Sequence, residues 1–72
     1  MKELRVLYPR SVYDRDLIDQ AIKDYQEICT IKQHGSGMEI SCVFSRSVTD
    51  LTVTALEFSN YLIELANSQV DA

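Results

Sequence analysis

Residues 33–45 read QHGSGMEISCVFS, and the fold turns on how the two glycines are understood. A Gly-Ser-Gly run is dense enough in glycine to suggest a phosphate-cradling loop. Such a loop lies between a strand and a helix amino end, with a Lys and a Ser/Thr following the last glycine. Here the next residues alternate instead. Met38, Ile40, Cys42 and Phe44 share one side, and Glu39, Ser41, Val43 and Ser45 the other, which is the period of a half-buried strand. No GK[ST] follows. The glycines therefore predict the bend of a hairpin, where a tight turn needs a positive φ. The hairpin's first strand is CTIKQH, residues 29–34, with Cys29 and Ile31 alternating against Thr30 and Lys32. His34 falls at the bend with no Ser–His–acid or Cys–His pattern beside it. It reads as a solvated turn residue, since a general base would need partners supplied by the fold.

Upstream, ELRVLYP (3–9) predicts a short strand with Leu4, Val6 and Tyr8 on one face and Glu3, Arg5 and Leu7 on the other. Pro9 ends it, because proline has no N–H for a ladder, and this suits a sheet edge. Residues 11–29 predict an amphipathic helix. Leu17, Ile18, Ala21, Ile22, Tyr25, Ile28 and Cys29 recur at helical spacing, with Asp16, Asp19, Lys23, Asp24 and Glu27 opposite. Ser11 or Asp14 can cap its amino end. Asp14, Asp16 and Asp19 suit the positive end of the helix dipole, and the run lacks the Gly and terminal Glu of a calcium loop.

Downstream, residues 47–72 predict a second helix. Leu51, Ala55, Phe58, Leu62 and Leu65 follow helical spacing, and Leu56, Ile63 and Ala66 widen the stripe. Thr49 or Asp50 is its N-cap. LTVTAL (51–56) has β propensity, but Glu57, Asn60, Glu64 and Asn67 mark an opposite polar side, and propensity yields to such a pattern. The last four or five residues are expected to fray.

The order β-α-β-β-α gives one α+β domain over residues 1–72. A strand–helix–strand crossover is right-handed and joins parallel strands. The first two strands should then be parallel, with the third between them and antiparallel to both. The two helices cover one face of a three-stranded sheet, which is most of a split β-α-β unit without its fourth strand. The other face, with Leu7, Val43 and Thr30, is only partly polar, and a free edge invites another strand. Val12 and Tyr13 add apolar area near the first helix. The expected partner-binding residues are Leu7, Tyr8, Val12, Tyr13 and Val43. They point to a homodimer, or to a dock for a protein or peptide by strand addition or a helical face, with a plain monomer as the alternative.

The chain has 72 residues, 11 acids against 7 bases and a net charge of −4. Arg5, Arg10 and Arg15 are interrupted by Glu3, Asp14 and Asp16, so no basic footprint for nucleic acid is present. No stretch is apolar over the length that a signal peptide or a membrane span needs, and the expected location is the cytoplasm. Cys29 and Cys42 form no CxxC pair, and the one His cannot complete a usual zinc set with them. They read as inward-facing small hydrophobes. His34, the cysteines and the four tyrosines Tyr8, Tyr13, Tyr25 and Tyr61 are scattered in sequence. A domain this small rarely encloses a dry catalytic pocket of about 300 Å³. No catalytic residue, cofactor or metal is assigned, and the chain reads as a non-catalytic binding module.

Two stretches carry a resemblance. LYPRSVYDRDLIDQAIKDYQEICTIK (7–32) contains a strand and turn leading to a Tyr-x-x-x-x-Ile-x-x-Ala-Ile helix, followed by the glycine hairpin and VTALEFSNYLIEL (53–65). In this pattern the chain resembles the HxsD-like proteins, short accessory proteins of the His-Xaa-Ser system encoded near radical SAM enzymes and small peptide precursors. The second helix is similar to the family's Phe-Asn-x-Leu-Leu helix, beyond which longer members continue. The resemblance implies a non-catalytic helper in peptide maturation that contacts a radical SAM enzyme or its precursor peptide. A leader-peptide recognition domain acting by strand addition is the alternative.

Overall fold

The computed structural model describes residues 2–69, so the expected fraying of the chain end falls largely outside it. The elements are β1 (Glu3–Pro9), α1 (Arg15–Tyr25), β2 (Thr30–Ser36), β3 (Glu39–Ser45) and α2 (Leu51–Gln69). The sheet order is β1-β3-β2, with β3 antiparallel to both neighbours. This is the α+β arrangement that the crossover rule requires. α1 packs over β2, and α2 over β1 and β3.

The hairpin differs from the sequence expectation in one useful respect. β2 runs on through His34 and Gly35 to Ser36, which pairs with Glu39. The loop is therefore Gly37-Met38 alone. Gly37 has φ 60°, whereas Met38 is not among the positive-φ residues, the pattern of a type II′ hairpin turn. His34 is thus a strand residue, and Met38 is exposed in the turn instead of facing inward.

α1 is shorter than its apolar pattern. Residues 11–13 form a turn in which the N–H groups of Val12 and Tyr13 donate to the Pro9 carbonyl at 3.1 and 3.0 Å. Asp14 is the cap, its Oδ1 accepting from the Asp16 N–H at 3.0 Å. The helix ends at Tyr25, whose carbonyl accepts from the N–H groups of Ile28 and Cys29 at 2.8 and 3.0 Å.

α2 wins residues 51–56 for the helix. Asp50 caps it, accepting from the N–H groups of Thr52 and Val53 at 2.8 and 3.2 Å. Thr54 is fully buried with its hydroxyl 2.7 Å from that of Ser47, so this β-prone residue is satisfied inside the fold. Leu56 and Ile63 do not widen the core stripe. Counting 100° per residue from Phe58 puts both on the far side of the helix, and they are 62% and 47% exposed.

Ile18, Ala21, Ile40, Cys42, Phe44, Phe58 and Leu62 are sealed between the layers. Phe58 is the hub. Its ring centroid lies 5.3 Å from those of Phe44 and Tyr25, both near-perpendicular, and 6.3 Å from Tyr8. Edge-to-face contacts of this kind add to the area burial of each ring.

Candidate functional site: an open sheet edge

Because β3 is central, β1 and β2 are both edges. Their backbone parity follows from the turn. A two-residue loop makes Ser36 and Glu39 a hydrogen-bonded pair. His34–Ser41, Lys32–Val43 and Thr30–Ser45 are then bonded pairs too, in the observed register. The N–H and C=O groups of Ile31, Gln33 and Gly35 consequently point away from β3. On the other side, the Arg10 N–H donates to the Met38 carbonyl at 2.9 Å, so the even-numbered residues of β1 bond to β3. Glu3, Arg5, Leu7 and Pro9 present the outward groups there.

The two edges are unlike. β1 is guarded: Pro9 offers no N–H, and Glu3 and Arg5 place opposite charges along it. β2 carries no proline. Its outward residues are Ile31, Gln33 and Gly35, and α1 stands beside them. Gln33 donates through Nε2 to the Asp19 carboxylate of α1. Its Oε1 is buried without a hydrogen-bond partner among the described residues.

At the carboxyl end of β2 two cations converge. Arg10 Nη2 and Arg15 Nη1 lie 2.6 and 3.1 Å from the point where a Cβ on Gly35 would stand. Gly35 has no positive φ, so its missing side chain serves space and not backbone conformation. Two guanidiniums approaching one point repel each other, and an anion between them removes that cost. Sequence reasoning separated these arginines as interrupted charges. Only the turn at residues 10–14, which folds back against the hairpin, brings them together.

The expected partner-binding residues divide between two surfaces. Leu7, 52% exposed, and Val43, half-buried, are diagonal neighbours on the helix-free face. That face also carries Arg5, Lys32, Ser41 and His34. Tyr8 belongs to the other side and leaves the candidate surface: it is 4% exposed, its hydroxyl 2.8 Å from that of Ser59. Burial pushes its phenol up to about 12. Tyr13 packs edge-on against Tyr8, with centroids 5.6 Å apart, and is itself half-buried. Val12 is exposed in the turn before α1.

On the open face His34 stands opposite Ser41, whose Oγ is buried without a hydrogen-bond partner among the described residues. Cys29 and Cys42 are buried free thiols, and burial raises both, Cys42 to about 12. Among the described residues no three His, Cys, Asp or Glu side chains group as a metal set. A cleft of about 530 Å³ opens at the start of α2 beside Arg46 and Asp50. There the Asp50 carboxylate already takes the helix N–H groups an anion would need. No family model, curated protein or solved structure matches the chain.

Proposed function

We propose that this chain is a non-catalytic docking module that adds an extended peptide to the β2 edge, with an acidic group of that peptide between Arg10 and Arg15. The observation that carries this reading is the pairing of two features on one edge. The outward backbone groups of Ile31, Gln33 and Gly35 supply sequence-independent hydrogen bonds. The arginine pair at the end of the same strand supplies a charge that fixes direction. A strand laid parallel to β2 brings its carboxyl end to the arginines, whereas an antiparallel one brings its amino end to them. Charge therefore favours the parallel register and an acidic or terminal carboxylate. Leu7 and Val43 on the open face offer a secondary contact. In the setting implied by the sequence resemblance, the extended ligand is a precursor peptide that the module presents to a modifying enzyme.

The test is a selection from a random peptide display library, followed by backbone amide NMR with the selected peptide. Shifts should concentrate at residues 31–35 and at the start of α1. Arg10→Glu combined with Arg15→Glu should weaken binding at least tenfold, about 1.4 kcal/mol. Shifts confined to α2, or affinity indifferent to both charge reversals, would contradict the reading.

A further inference from the structure

Every well-packed helix buries one stripe, and α2 carries two. Its core stripe is Leu51, Ala55, Phe58 and Leu62. Diametrically opposite run Val53, Leu56, Asn60 and Ile63, at spacings of 3, 4 and 3 residues. Val53 is 45% exposed, Leu56 62% and Ile63 47%. Single exposed apolar residues are ordinary on any surface. A row at the heptad a/d spacing is the seam that a second helix fills, with Asn60 the polar position inside it and Asn67, four residues past Ile63, ending the apolar run.

The flanks of this seam differ in charge. On the side facing α1 lie Glu57 and Glu64, with Asp24 of α1 beyond them. The Tyr61 hydroxyl donates to Asp24 Oδ2 at 2.5 Å, and Gln20 Nε2 donates to Oδ1 at 3.2 Å, which seats this carboxylate against α2. Tyr25 stands among them, its centroid 5.5 Å from that of Tyr61. Burial raises the Tyr25 phenol, and the charges of Glu57 and Glu64 raise it further. The opposite flank holds Thr52, Ser59 and Ala66, with no charge.

We infer that the outer face of α2 docks a basic amphipathic helix of another protein, its apolar ridge on Val53, Leu56 and Ile63 and its Lys or Arg residues along Glu57, Glu64 and Asp24. Charge complementarity selects this occupant. A second copy laid antiparallel would bring the acidic flank against itself, and the whole chain already carries −4. From Val53 to Ile63 the seam is about 15 Å long, the reach of about three turns of a docked helix. Three large side chains fall well short of the roughly 800 Å² per partner that a standard interface buries, so the complex is a transient one. This surface is separate from the β2 edge. A module with an acidic helical face and a cationic strand edge can bridge two partners.

The probe is a synthetic helical peptide of about four turns with Leu at a and d and Lys at the remaining positions. A matching Leu/Glu peptide serves as the control. Calorimetric titration should give saturable 1:1 binding of the Leu/Lys peptide, weakened at least tenfold by Glu57→Lys with Glu64→Lys. The same double variant should acquire binding to the Leu/Glu peptide. Leu56→Ser with Ile63→Ser, both exposed positions, should abolish binding while circular dichroism stays unchanged. Binding that ignores either pair of substitutions overturns the proposal, as does no saturable binding. Light scattering that shows a dimer dissolved by Leu56→Ser would also overturn it, in favour of a second copy.

Discussion

Gly35 and Gly37 lie two residues apart and are glycine for different reasons. Gly37 holds φ 60° with open space around it, so Gly37→Ala should cost about 1 kcal/mol through backbone strain alone. A Cβ on Gly35 meets only the mobile ends of Arg10 and Arg15, which can swing away. Gly35→Ala should therefore stay within about 0.5 kcal/mol of the parent in urea unfolding, while weakening any anion held there. A larger loss at 35 than at 37 would contradict this assignment. Tyr8 and Cys42 give a second test at this scale. Both are raised by burial, to about 12 from 10.0 and 9.0 respectively. A raised folded-state value means the protonated form is favoured by folding. Its contribution is fully present below the unfolded value and is lost as pH climbs through the folded one. Stability should thus be flat through neutrality and fall from about pH 9 to pH 12, and Tyr8→Phe should flatten part of that fall. At pH 7 the same substitution should cost about 1 kcal/mol by breaking the bond to Ser59. Alkaline unfolding identical in both proteins would contradict the buried phenol.

At the scale of elements, α2 shows what tertiary packing does to propensity. LTVTAL favours a strand locally, yet the Asp50 cap and burial of Thr54 and Ala55 hold it in a helix. Asp50→Ala should cost about 1 kcal/mol, because two helix N–H groups lose their acceptor. Phe58→Ala should cost about 3–5 kcal/mol and leave this small domain largely unfolded by circular dichroism, since three aromatic rings lose their common contact. A folded Phe58→Ala protein would mean that the core is not centred there. The core faces of β1, β3 and α1 were legible from alternation and helical spacing, because burial of one face imposes a period on the sequence. The second stripe of α2 was not. Leu56 and Ile63 read as wider core since a one-dimensional pattern cannot say which of two apolar arcs faces the sheet. The arginine pair was equally hidden, because residues 10 and 15 approach Gly35 only through the fold. Tyr8 read as a docking residue and proved a core one, its hydroxyl satisfied internally by Ser59.

On the scale of the whole molecule, two helices cover one face of a three-stranded sheet and leave two edges, of which β2 is the one without a proline. Proline and opposed charges blunt β1, while β2 offers backbone groups beside a cationic end. Docking there should weaken as salt rises, because the arginines lie near the surface where ions screen them. The most direct measurement of this central claim is amide hydrogen exchange along β2, with and without a peptide selected for binding. In the free protein Ile31, Gln33 and Gly35 should exchange fast while Lys32 and His34, bonded to β3, are protected. Bound peptide should slow the first three to the level of the other two. Protection of Ile31, Gln33 and Gly35 already present in the isolated monomer, or unchanged by the peptide, would contradict it.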